Sequence, residues 1–131
     1  MPGFTELVAR FHDAFGLPRH AMPSAQVAEE VKKQRRALLA EETQELDDAM
    51  DAGDLVAIAD ALADIAYVIH GTAVTYGIDL DPVFTEVHRS NMSKLGPDGR
   101  PKVDAAGKVI KSSNYIRPDI PAVLARQQPL P

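Results

Sequence analysis

Fifty-two consecutive residues, 37–88, carry twelve carboxylates and no lysine or arginine. No lysine or arginine within that stretch can neutralise it. Any fold the chain adopts must therefore send these acids to water, bring in distant arginines, or gather them around a cation. Five of the acids fall in two tight groups, Glu41-Glu42-x-x-Glu45 and Asp60-x-x-x-Asp64. On helices, each group points largely to one side. Two such helices side by side would crowd like charges into a small volume, which is costly unless a cation is bound. Hard divalent ions favour carboxylate oxygens, so Mg²⁺ is the natural cofactor, with Mn²⁺ as its substitute.

The rest of the chain is charged the other way. Residues 1–36 hold six basic and four acidic side chains, and residues 89–131 hold eight and three. An acidic centre with a basic C-terminal third fits a metal site beside a phosphate-binding segment. It does not fit duplex nucleic acid, which calls for a broad basic face. With 131 residues, one domain is expected over 1–131, with a core at about 24–95 and a Gly/Pro-rich basic tail at about 96–131. There is no cysteine, which excludes disulfides, thiolate metal sites and cysteine nucleophiles. The opening residues, MPGFTELVARFHDAFG, show no apolar run of signal-peptide or membrane-spanning length. A cytoplasmic protein without a membrane partner is expected.

Periodicity predicts four helices. Thr5 is placed to cap a first helix over 5–15, which Gly16 ends. A linker with two prolines follows, and Ser24 is placed to cap a long helix over about 25–51. Gly53 breaks it and Asp54 caps the next, over about 54–76. That third helix is apolar round much of its girth and is expected at the centre of the domain. Gly77 stops it, and Asp79 or Asp81 starts a fourth helix running to about Ser93, with Pro82 near its first turn. The short Gly53 turn predicts that the second and third helices pack antiparallel. In the tail, Lys102–Asp104 and Lys108–Ile110 are expected as a small β-hairpin, Pro121–Arg126 as a short helix, and the last residues as frayed. The class is all-α, an antiparallel four-helix bundle with a small C-terminal hairpin or loop segment.

On a helical wheel Glu42 and Glu45 lie about 60° apart with Leu38 between them, at the edge of the buried face. Asp47, Asp48 and Asp51 point outward and read as solvated surface. Asp64 is flanked by Ala57, Ala61, Val68 and Gly71, an expensive place for an unpartnered acid. Either a metal compensates these acids, or distant Arg35, Arg36 or Arg89 reaches them. A di-iron bundle would need Glu-x-x-His pairs. Here Glu42 is followed at three residues by Glu45, Asp64 by Tyr67 and Glu86 by Arg89, so all-oxygen ligation of magnesium is favoured. The candidate ligands are Glu42, Glu45, Asp60 and Asp64. Beyond the fourth helix, Asn91, Lys94, Lys108, Lys111 and Tyr115 are candidates for holding phosphates, sugar or base of a nucleotide substrate.

The string RALLAEETQEL…DALADIAYVIHGTAVTYGIDLDPVFTEVHRSNMSKL resembles the all-α nucleotide pyrophosphohydrolases, and the resemblance covers about residues 27–95. That superfamily takes in MazG-like enzymes, dimeric dUTPases and phosphoribosyl-ATP pyrophosphohydrolase. Its pattern is Glu-Glu-x-x-Glu on one helix and Glu-x-x-Asp on the next. Glu41, Glu42 and Glu45 match the first part, and Asp64 matches the final Asp. The tail, Gly107-Lys108…Lys111…Asn114-Tyr115…Pro118, looks like a MazG-like subgroup. One position departs: the first Glu of Glu-x-x-Asp falls on Ala61, with Asp60 adjacent as a substitute oxygen donor. The resemblance implies Mg²⁺-dependent hydrolysis of a nucleoside triphosphate between the α- and β-phosphates, with Glu41 acting on the water. It also implies a homodimer or homotetramer. Two alternatives stand beside it: hydrolysis of phosphoribosyl-ATP itself, and a non-catalytic helical oligomer that binds metal or nucleotide, which Ala61 would explain.

Overall fold

A computed structural model describes residues 1–131 as two compact units. The first comprises Met1–Asp79 with Gln128–Pro131, and the second is Leu80–Gln127. The fold is all-α, as expected. In the first unit lie α1 (Phe4–Phe15), α2 (Glu29–Ala52) and α3 (Leu55–Thr75); in the second lie α4 (Leu80–Met92) and α5 (Ile120–Arg126).

The turn between α2 and α3 forms where the sequence places it. Gly53 adopts φ 62°, a left-handed conformation that glycine takes without a Cβ penalty. Its N–H reaches the Met50 carbonyl at 3.1 Å, and the Asp54 N–H reaches Ala49 at 3.3 Å, closing the end of α2. The Asp54 carboxylate accepts from the Ala57 N–H at 3.1 Å and caps α3. The two helices then run antiparallel. Arg35, early in α2, bonds Val68 and Thr72 late in α3, while Glu42 and Glu45 further along α2 meet Asp64 earlier in α3.

Two predicted caps are not used. Gly3 precedes α1 without a side-chain bond, and Thr5 is buried with its hydroxyl unpartnered. Ser24 does not start α2, which begins at Glu29. Its backbone N–H instead bonds the Tyr76 carbonyl at 2.9 Å, and its hydroxyl accepts from the Gln26 N–H at 3.1 Å. Residues 18–28 are held out of helix by such bonds to the C-terminal end of α3, where the His20 N–H also meets the Val74 carbonyl.

Val8, Ala9, Val74 and Leu130 form the buried apolar cluster of the first unit. Leu130 overturns the expectation of a frayed terminus: its N–H bonds the Ala21 carbonyl at 2.8 Å, and the Pro131 carbonyl accepts from Arg19 at 2.6 Å. α3 packs against both α1 and α2, yet only Ala61, Gly71, Ala73, Val74 and Thr75 of it are buried. Leu55 is 78% and Val56 80% exposed, and Leu62, Tyr67 and Ile69 are also open. By length and composition α3 is apolar enough to cross a membrane.

In the second unit, Glu86 joins α4 to α5. It pairs with Arg89 at 2.6 Å and accepts the Asp119 N–H at 3.0 Å, just where Asp119 caps α5. The expected hairpin is reduced to one antiparallel bridge, Val103–Val109. Both valines are exposed, so no buried face exists to extend it into strands.

Candidate metal centre

Glu42 and Glu45, three residues apart on α2, project to the same side of the helix. Asp64 faces them from α3. One oxygen from each of the three lies within 4.8 Å of the others. A hard divalent ion holds oxygens at about 2.0–2.6 Å, so two ligands of one ion lie at most about 4–5 Å apart. The spacing already fits.

The electrostatics fit as well. Glu42 is half-buried, and its Oε2 is fully buried without a hydrogen-bond partner. Its carboxyl is pushed above the usual carboxylate range by burial, then by hydrogen bonding to Glu45 and by the charges of Glu45, Asp64 and Glu41. A buried acceptor with no donor, among like charges, is what a bound cation would satisfy. No arginine does so. Arg35 turns the Nε edge of its guanidinium away from the triad, to Thr72 Oγ1 at 3.0 Å and the Val68 carbonyl at 2.8 Å, and burial lowers its pKa with no acid opposing. Arg89 is paired with Glu86. The donor set is oxygen only, which suits Mg²⁺ or Mn²⁺ and contains no histidine for iron.

One expected ligand is not part of this triad. Asp60 is exposed, and its carboxylate is not among the three that converge. Ala61, where the family pattern has Glu, is buried at 4% exposure and offers no ligand. Glu41 is exposed beside the triad, close enough for its charge to act on Glu42. Asn91, Lys94, Lys108, Lys111 and Tyr115 all belong to the second unit. Asn91 and Lys108 are exposed and Lys94 is half-buried. Lys111 and Tyr115 are brought together, with the ammonium 4.7 Å from the ring centroid.

Sequence reasoning placed Arg35 only as a distant partner for the aspartates. Its actual role, bridging α2 to the backbone of α3, depends on Gly71, where any Cβ would overlap the guanidinium. The signal was present: Arg35, Leu38, Glu42 and Glu45 lie on one stripe of α2 at helical spacing.

The family model for phosphoribosyl-ATP pyrophosphohydrolase matches residues 8–91, which include Glu41, Glu42, Glu45 and Asp64. An uncharacterized protein of Acanthamoeba polyphaga mimivirus is 32% identical over 100 residues, covering 74% of this chain and 38% of that protein. The chain thus spans well under half the length of that relative. A crystal structure from Exiguobacterium sp. 255-15, provisionally assigned as an NTP pyrophosphohydrolase, is 26% identical with a TM-score of 0.52. The match covers 95% of this chain and 93% of that one.

Proposed function

Because the chain belongs to the phosphoribosyl-ATP pyrophosphohydrolase family, we propose that it is a nucleotide pyrophosphohydrolase acting on a phosphoric anhydride bond. The observation that carries this reading is the convergence of Glu42, Glu45 and Asp64 around an unpartnered buried oxygen.

The finer reading is a Mg²⁺-dependent hydrolysis of a nucleoside triphosphate between its α- and β-phosphates. Glu42, Glu45 and Asp64 would hold the divalent ion, with Asp60, one turn before Asp64, swinging in as a further ligand. When bound, the ion withdraws charge from the phosphate oxygens. Glu41 orients a water and takes its proton as the water oxygen bonds to phosphorus. The α–β bridging P–O bond breaks, and the products are nucleoside monophosphate and pyrophosphate. Asn91, Lys94, Lys108, Lys111 and Tyr115 supply donors and positive charge for the nucleotide. Phosphoribosyl-ATP is the alternative substrate within the same chemistry.

A non-catalytic reading is favoured by one observation only, the buried Ala61 where the family pattern has Glu. A panel of nucleoside triphosphates and phosphoribosyl-ATP, with Mg²⁺ or Mn²⁺ and pyrophosphate detection, decides between them. Pyrophosphate from at least one substrate is expected. Metal binding with no pyrophosphate from any would establish the non-catalytic reading.

The exposed apolar side chains of α1 and α3 support a homodimer or homotetramer that covers them. Two aspartates within α3 argue for burial against protein over insertion into a bilayer. We therefore place the protein in the cytoplasm, without membrane or duplex nucleic-acid partners.

A further inference from the structure

Arg35 is a cation without an acid. One edge of its guanidinium is committed: Nε donates to Thr72 Oγ1 at 3.0 Å and Nη2 to the Val68 carbonyl at 2.8 Å. The Thr72 hydroxyl itself donates to the same carbonyl at 2.9 Å, so this edge is locked against α3. A guanidinium has five N–H donors, and two are used. The remaining three, on Nη1 and the second hydrogen of Nη2, form the end-on fork, the geometry that takes a carboxylate or phosphate bidentately. None of these atoms is both buried and unsatisfied.

The guanidinium borders a cavity of about 190 Å³ between α1, α2 and α3. Gly71 lets it approach the α3 backbone, and His12 Nε2 lies 3.2 Å from the position a Cβ on Gly71 would take. His12 is almost fully buried, and its Nδ1 faces the Pro18 carbonyl at 3.3 Å. A carbonyl can only accept, so Nδ1 donates; Nε2 is left on the cavity side and donates to an anion once the ring takes up a second proton. The other walls are apolar, with Phe11, Leu17 and Leu38 among them. The volume is below the usual range for drug-sized ligands, about 300–1,000 Å³. It suits one anionic group on a short apolar body.

We infer that Arg35, with His12 beside it, forms an anion-binding site distinct from the carboxylate cluster, taking the phosphate or carboxylate group of a small, partly apolar ligand. Stapling α2 to α3 accounts for one edge of the guanidinium and for none of the charge. A half-buried cation with no counter-ion costs free energy that an anion in the fork would offset. The site lies two helical turns before Glu42 on the same stripe of α2, about 10 Å along the axis. It is therefore separate from the metal ligands and independent of whether the chain hydrolyses nucleotides.

The test uses the full chain in EDTA, where no metal can draw anions to the acidic cluster. Inorganic phosphate and acetate are titrated separately at constant ionic strength while NMR follows the His12 ring and the Gly71 amide. Saturable shifts at both are expected, and Arg35→Gln, which keeps amide donors for α3, should weaken binding at least about tenfold. The tighter of the two probes names the source, a phosphate ester or a carboxylate. Should Arg35→Gln not fold, Leu17→Trp, which fills the cavity and keeps the charge, must weaken binding equally. Shifts that never saturate with either probe, or that persist unchanged in the folded variant, would overturn the inference.

Discussion

Glu42 is held in an unfavourable place, and its replacement separates stability from function. Glu42→Gln removes one of the like charges around the triad and keeps the side chain's shape. The metal-free variant should melt at a higher temperature than the parent, because the burial and repulsion that raise the Glu42 pKa are relieved. The same variant should bind Mg²⁺ or Mn²⁺ at least tenfold more weakly, on the order of the loss of a charged ligand. Calorimetry of both forms checks the pair; a lower melting temperature without metal would show that the triad is not strained. Glu41 makes the opposite case. It is exposed, so Glu41→Gln should leave folding and metal affinity intact while turnover falls about 10²–10⁴-fold. Stopped assays of pyrophosphate release beside metal titrations distinguish these outcomes. At Gly77, φ is 70° and a Cβ would collide with the Met22 carbonyl oxygen. Gly77→Ala should cost at least about 1–2 kcal/mol from the left-handed backbone alone, read by denaturant unfolding.

Among the elements, α5 depends most on a single charge. Glu86 holds Arg89 and the Asp119 N–H together, and its carboxyl is depressed to about 2 from the ordinary 4.5, first by the Arg89 hydrogen bond. A depressed acid stabilises the folded state above its unfolded pKa and loses that contribution as pH falls through the folded value. The docking of α5 should thus be intact above about pH 4.5 and weaken progressively toward pH 2. Hydrogen exchange over Ile120–Arg126 in Glu86→Gln should be faster at neutral pH, with α1 unchanged. Helix extents were largely legible in the sequence because their stop signals are local: Gly16, Gly53, Gly77 and the Asp54 cap act within a few residues. The start of α2 was not, because Ser24 bonds Tyr76, a partner 52 residues away that no local pattern reveals. The same division runs through the site. Glu42 and Glu45 share a face by spacing and meet Asp64 through one short turn, so the triad could be read. The separation of Asp60 from it depends on how two helices rotate against each other, and Leu130 joins the core by a contact across the whole chain.

For the molecule as a whole, the uncovered side chains of α1 and α3 set the expectation. Phe4, Phe15, Leu55 and Val56 are each more than two-thirds exposed in one chain. Sedimentation at micromolar concentration should show a dimer or tetramer, and Val56→Glu together with Leu62→Glu should shift it toward monomer while helicity by circular dichroism stays. A stable monomer in the parent protein would count against that assembly. Within the chain, the interlock of its two ends is worth measuring directly. Leu130→Ala should cost about 2–5 kcal/mol if the site cannot collapse, a large share of the stability of a small domain.

That interlock also sets a timetable. Residues Leu80–Gln127 lie between the two parts of the first unit. While the chain is being synthesised, Val8, Ala9 and Val74 are available long before Leu130 exists. At about 5–20 residues per second, the wait for the 56 residues from Val74 to Leu130 lasts roughly 3–11 s. Throughout that interval the cluster of Val8, Ala9 and Val74 lacks its fourth member, and the first unit is completed only once Gln128–Pro131 have been made.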